Sequence, residues 1–280
     1  MSSIQKIILL ESNTILYVDE HDNRGKWLIK QNGITQPHVT GIWRKIVNKW
    51  QPTIAIDVGV NYGEIMFSTA YDHNIQIVGI EANKLLDSCI SKSIAEHPNA
   101  SQIKMIYALA SDKDTDENTF FVDKEWSGTS AVVPNNEHKF RTLKVNSTRI
   151  DSLFADQSLV KERLLFKIDV EGYEQFVLHG MNRLIKECSN CIGIIEFNSE
   201  FLERAGTDVD DFLRFLNENF KVYLLYSSFK VYHFERMNLE SLKKHYRNEH
   251  FQKDLLLLSD NETIQQLDLK VKEIGQSLKE

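Results

Sequence analysis

Two acid-bearing segments carry the chemistry open to this sequence. The first, D-V-G-V-N-Y-G over 57–63, ends an apolar run with Asp57 and then places Gly59, Asn61 and Gly63 at alternate positions. The second, LLFKIDVEGYE over 164–174, drives an apolar run into Asp169, Glu171 and Glu174 around Gly172. A carboxylate within reach of a hydroxyl can accept its proton as a new bond forms at oxygen. The glycine segment suits a ligand instead. Gly59 lets the chain turn sharply and a ligand approach the backbone, Asn61 tolerates left-handed geometry and offers an amide, and Gly63 allows close packing as the next element begins.

The spacing narrows the ligand. Glu81 ends the next apolar run, IQIVGIEA, 22 residues after Gly59, where a carboxylate can accept both hydroxyls of a ribose. A dinucleotide fingerprint needs G-x-G-x-x-G, but the middle position is Asn61 and no third glycine follows. That weakens the pyrophosphate reading and sets aside a nicotinamide oxidoreductase. Asp57 would repel phosphate and attract a cation. S-adenosylmethionine (SAM) has a sulfonium, an amino group, a ribose and no phosphate, so it fits. Glu196 and Asn198 end a further apolar run in the same pattern as Asp169, so Asp57, Asp169 and Glu196 are expected along one rim. Asp169 and Glu171 are the candidate proton acceptors, and Glu174 is assigned to the first turn of a helix. A divalent cation held by Asp169, Glu196 and Asn198, all oxygen ligands, is a less favoured alternative.

These residues need a frame. From 53 to about 220, strand and helix patterns alternate, which predicts an α/β fold: a doubly wound, mostly parallel seven-stranded sheet with helices on both faces. Ligands bind such sheets at the carboxyl ends of the strands. The predicted strands are TIAIDVG, IQIVGIEA, IKMIYALAS, LLFKID, CIGIIEFN, KVYLLYS and DLLLLS. The predicted helices are GEIMFSTAYDH, NKLLDSCISKSIAEH, EQFVLHGMNRLIKE and DVDDFLRFLNENF. The interval 112–150 is long for one connection and reads as an inserted flap, with strands at NTFFVD, SAVVP and RTLKVNST. On it, Trp126 offers a stacking platform for a sugar ring, and Ser127 and Thr129 offer hydroxyls. Residues 1–52 form short strands and a helix from Pro37, with Val39, Ile42, Trp43, Ile46, Val47 and Trp50 on one face. The methyl-donor domain is then 53–259. In 260–280, Ile264, Leu267, Val271, Ile274 and Leu278 predict an amphipathic helix whose seam over 264–278 could join two copies.

Composition sets bounds. The chain has 280 residues, 42% hydrophobic, and a net charge of −7, which gives no general attraction to nucleic acid. Three cysteines make no disulfide framework, and the N-terminal IILL is too short for a signal peptide or a membrane span. A cytoplasmic protein acting on a small-molecule or glycan acceptor is expected.

With these segments in hand, the sequence resembles the FkbM-type methyltransferases. The resemblance rests on IDVGVNYG, IVGIEAN, ALASD, STRIDSL, FKIDVEGYEQFVLHG and IIEFN, and covers roughly residues 53–200. It implies a class I methyltransferase fold, SAM as donor, and O-methylation of a hydroxyl on a sugar or secondary metabolite. By position, Asp57, Gly59, Asn61 and Gly63 resemble the cofactor loop and Glu81 the ribose acid. Ala108, Leu109 and Ala110 should border the adenine, and Asp169 and Glu171 resemble the family's acidic pair. The other function class is a methyltransferase-like module that binds without chemistry.

Overall fold

The computed structural model describes residues 3–134, 139–234, 237–247, 250–260 and 262–274. A hairpin comes first: β1 (Ile4–Ile8) pairs antiparallel with β2 (Ile15–Asp19). Helix α1 (Asn23–Lys30) starts where the Asp22 side chain accepts from the Arg24 N–H, satisfying a donor that has no partner within the helix. Helix α2 (Pro37–Trp50) starts on proline, which has no N–H to leave unpaired, and ends where Gln51 turns left-handed. Its apolar face is buried as its spacing predicts, with Trp43 and Trp50 among the largest fully buried side chains.

The alternating region follows. Its first part holds β3 (Ile54–Val58), β4 (Gln76–Ile80), α3 (Asp87–Ala95) and β5 (Ile103–Ile106). The flap contributes β6 (Leu109–Ala110), β7 (Thr115–Asp123) and β8 (Phe140–Thr148). Then come α4 (Ile150–Leu153), β9 (Arg163–Ile168), α5 (Glu174–Gly180), α6 (Asn182–Glu187) and β10 (Asn190–Asn198). After these lie α7 (Ser199–Arg204), α8 (Val209–Asn219), β11 (Lys221–Ser227), β12 (Lys230–Phe234) and α9 (Leu239–Tyr246). The described chain closes with β13 (Gln252–Leu258), α10 (Thr263–Gln266) and β14 (Lys270–Ile274).

The central sheet runs β14-β12-β11-β13-β10-β9-β3-β4-β5, and β10, β9, β3, β4 and β5 are parallel neighbours. Side chains alternate between its faces. Ile54, Ile56 and Val58 enter one core with Val177 of α5 and Phe212 of α8, while Ala55 enters the other with Trp43 of α2 and Ile90 of α3. Helices therefore cover both faces, as expected. The flap is a separate three-stranded sheet, β6-β8-β7. Among the described residues, no helix is long and apolar enough to cross a membrane.

Five local expectations are corrected. The sheet has nine strands, because β12 folds back on β11 and β14 adds to it in parallel. The segment GEIMFSTAYDH makes only one 3₁₀ turn, Met66–Ser68. It is buried all round, and the positive φ angles of Asn61 and Gly63 interrupt its approach. The predicted third strand divides: β5 stops at Ile106, and Leu109–Ala110 leaves to pair with Ser147–Thr148 of the flap. Of SAVVP, only Ala131 bridges, to Phe121. Within the described part of 260–280, the predicted C-terminal helix is a single turn, α10, followed by β14, whose Val231↔Val271 and Phe234↔Ile274 pairing extends the sheet. Leu267 is fully buried in its own domain, so no helical seam exists over 264–274; Leu278 lies outside the described residues.

Candidate active site

Strand register builds the site. Asp57 on β3 pairs with Lys167 on β9, Lys167 pairs with Ile194 on β10, and Glu196, two residues on, pairs with Asp254 on β13. With a period of two, Asp57, Lys167, Glu196 and Asp254 share one face at the carboxyl end of the parallel strands. Asp169 follows on the same side, its N–H donating to Val58 O at 3.1 Å. The glycine loop and the acidic turn meet there. A Cβ on Gly59 (φ +78) would lie 1.9 Å from Asp169 O, so only glycine admits this approach.

A cavity of about 290 Å³ opens at this junction. One wall is Gly59–Asn61 with Glu81. A second, apolar wall includes Ala108, Leu109, Ala110, Phe120 and Val132, and a third carries Trp126, Ser127 and Thr129. The lining also includes Lys167, Asp169, Glu171, Glu196 and Gln252. Both cations lining it are already engaged: Arg24 donates to Glu64 at 2.9 Å, and Lys167 lies 3.2 Å from Asp169. Among the described lining residues, no cation is free to pair with a phosphate.

Glu81 is buried and pulls the loop inward. Its carboxylate accepts the Asn61 and Asn83 backbone N–H groups, each at 2.7 Å. Burial raises its pKa, opposed by those two N–H bonds and by Lys167. Asn61 is left-handed (φ +50), but its side-chain amide is turned to the flap, donating to Ser127 Oγ at 3.1 Å. The Thr129 hydroxyl donates to Asp123 at 2.8 Å, within the flap itself. Trp126 is half-buried and faces the cavity.

Three expected residues stand elsewhere. Asp57 is 1% exposed and does not line the cavity, and its carboxylate accepts no hydrogen bond; its nearest counter-ion is Lys167 at 3.5 Å. Burial raises its pKa to about 6. Gly63 packs under the Phe67 ring, outside the cavity lining. Asn198 caps α7, accepting from Glu200 N and Phe201 N at 3.1 and 3.3 Å, so the cation set of Asp169, Glu196 and Asn198 is not assembled. The carboxyls that do converge are Asp169, Glu171 and Glu196, with oxygens within 4.8 Å of one another.

These three carboxyls are shifted in opposite directions. Burial works to raise Asp169, but Lys167, with hydrogen bonds from Gln36 and Glu196, outweighs it and holds the group below its ordinary range. Burial and the Asp169 charge push Glu171 and Glu196 well above theirs. Glu171 also sits in a strained turn, with φ +56 before Gly172 at +101. Glu174 is a buried brace: it accepts from Val170 N and Gly172 N at 3.1 and 3.2 Å, and burial raises its pKa to about 7.

The sequence reading missed Lys167, Gln36, Gln252 and Glu64. Lys167 could have been found as the one charge within the apolar run LLFKI. Glu64, 4% exposed, accepts from Arg24, from the Thr35 N–H and hydroxyl, and from Gln36 N at 2.6–2.9 Å. It thereby hangs the residues before α2 over the site, where Gln36 reaches Asp169 at 3.4 Å. Those residues carry no motif, so they left no signal.

The chain thus folds as a mostly parallel α/β sheet with a glycine loop, a buried acid on the next strand and carboxyls at adjoining strand ends. The methyltransferase FkbM domain family matches residues 57–223, more than half of the chain, and the protein belongs to that family. Solved structures similar to it include the O-methyltransferase TomG from Streptomyces achromogenes, involved in tomaymycin synthesis and in complex with SAM. It is 10% identical over 81% of this chain and 82% of that one, with a TM-score of 0.43. Methyltransferase FkbM from Methylobacillus flagellatus KT is 16% identical over 74% of this chain and 44% of that one, TM-score 0.40. A SAM-dependent methyltransferase from Geobacter sulfurreducens, in complex with S-adenosyl-L-homocysteine, is 14% identical over 73% of each chain, TM-score 0.37. No curated protein matches the chain.

Proposed function

We propose that the protein is a SAM-dependent O-methyltransferase whose acceptor is a hydroxyl on a sugar, a glycan or a secondary metabolite. The observation that carries this reading is the contact of the two acid-bearing segments: Gly59 lies against Asp169 in the lining of one cavity with no free cation among its described lining residues. Bound SAM supplies an electrophilic methyl carbon on a sulfonium. In this reading Glu81, which lines the cavity, accepts ribose hydroxyls, and the Ala108–Ala110 wall, with Phe120, suits the flat face of a base. Asp169 or Glu171 then accepts the acceptor's hydroxyl proton, an effect worth roughly 10²–10⁴-fold in rate. Gln36 and Gln252 at the same end offer the donors and acceptors that a polyol needs, and Trp126 offers a ring face. Lys167 supplies the positive charge beside Asp169, so a divalent cation has no required place, and EDTA is expected to leave turnover unchanged.

Three free, buried cysteines suit a reducing compartment, in keeping with a cytoplasmic enzyme. The test is transfer of label from methyl-labelled SAM to a panel of hydroxyl-bearing sugars and metabolites. Label on an acceptor oxygen supports the reading. Label on nitrogen or carbon, or SAM binding with no transfer to any acceptor class, contradicts it. Asp169→Asn is expected to lower turnover by about 10²-fold or more while S-adenosylhomocysteine still binds. Full turnover in that variant would remove Asp169 from the chemistry.

A further inference from the structure

We infer that Lys167 is the positioning residue that selects Asp169, rather than Glu171 or Glu196, as the proton acceptor. The inference deepens the methyltransferase reading and rests on it.

The geometry is specific. Lys167 sits among Leu164, Leu165, Phe166 and Ile168 in β9, and its side chain is 6% exposed. Its ammonium has three oxygen neighbours: Asp169 Oδ2 at 3.2 Å, Asp57 Oδ1 at 3.5 Å and the Gly59 carbonyl at 3.2 Å. It thus ties the end of β3, the glycine loop and the acidic turn to one charge. A buried ammonium is costly unless paired, so its place in an apolar strand needs a purpose beyond packing. A lysine serving solubility would sit on the rim, in water.

The surroundings explain why one carboxyl must be chosen. Asp57 on β3, Glu171 and Glu174 around the turn, Glu196 on β10 and Asp254 on β13 all face Asp169, and Gln36 reaches it from the segment before α2. Arg204 on α7 acts on Glu171 instead. Carboxyls this close cannot all ionise. The ammonium lies against Asp169, so Asp169 carries the charge. Burial and that charge then push Glu171 and Glu196 the other way, toward the protonated form. Burial also works against the ammonium, but Asp169 and Asp57 keep its pKa above the ordinary value. Lys167 therefore touches no reacting atom; it acts through Asp169.

The test reads Asp169 directly. The protein is labelled at the aspartate side-chain carboxyl carbon, and the Asp169 signal is assigned by its loss in Asp169→Asn. Its chemical shift is then followed with pH. In the wild-type chain the signal is expected to stay in its ionised position below pH 4, where ordinary aspartates titrate at about 3.9. In Lys167→Met the midpoint is expected to rise by about 1–3 pH units, while Lys167→Arg stays with the wild type. A Lys167→Met midpoint equal to the wild type's would overturn the inference. So would a wild-type midpoint at or above the ordinary value, a result that does not depend on Lys167→Met folding. S-adenosylhomocysteine binding to the same samples separates the two readings. Absent binding to the wild type contradicts the methyltransferase function, whereas normal binding with an unmoved Asp169 titration contradicts only the assignment to Lys167.

Discussion

Single residues set the reach of this site. Gly59 has the clearest constraint, since its φ of +78 and the Asp169 carbonyl both exclude a side chain. Gly59→Ala is expected to push β3 and β9 apart at their ends and to abolish S-adenosylhomocysteine binding, measured by calorimetry. Gly59, Asn61, Glu81, Asp169 and Glu171 were legible because the chemistry of a loop or a strand end leaves a spacing in the chain. Asp57 was legible as an acid but not as a buried one, because depth depends on neighbours that the sequence does not order. Lys167 went unread for the opposite reason. A lysine in a strand usually marks a solvated edge, and only the pairing of β9 between β3 and β10 buries it.

At the scale of elements, the alternation of strand and helix fixed the parallel half of the sheet, because apolar strands buried on both faces have few other arrangements. It failed where a short segment changes partners. Leu109 and Ala110 read as one strand with IKMI, yet they pair with the flap. The helix predicted through EQFVLHGMNRLIKE breaks at Gly180–Met181, where a Cβ on Gly180 would meet Ser111 O at 1.9 Å. The apolar spacing of 264–274 served a turn and an edge strand equally well as a helix. The segment before α2 makes a prediction of its own. Glu64→Ala would strip Arg24, Thr35 and Gln36 of a shared buried partner. Removing one member of a buried ion pair costs about 3–5 kcal/mol. Denaturant unfolding is expected to show that loss, and limited proteolysis to show earlier cleavage before residue 37.

The whole molecule carries these acids as a liability in stability. Burial pushes Asp57 and Asp254 up to about 6 and Glu174 up to about 7. Unfolded carboxyls titrate near about 4. Between those limits the folded chain keeps protons that the unfolded chain has lost, so stability falls as pH rises from about 4 to about 7. Asp169 is shifted the other way, and its contribution is lost only in stronger acid. The melting temperature is expected to be higher at pH 5 than at pH 8, and Glu174→Gln to flatten part of that slope. An unchanged slope in Glu174→Gln would mean that Glu174 does not carry it.

Calorimetric titration of the wild-type chain and Glu81→Ala with S-adenosylmethionine tests the central claim most directly. The account predicts one saturable site in the wild type. It also predicts affinity at least about tenfold weaker in Glu81→Ala, the size of a lost hydrogen bond to a charged group. No saturable binding to the folded wild type, or equal affinity in the variant, would contradict it.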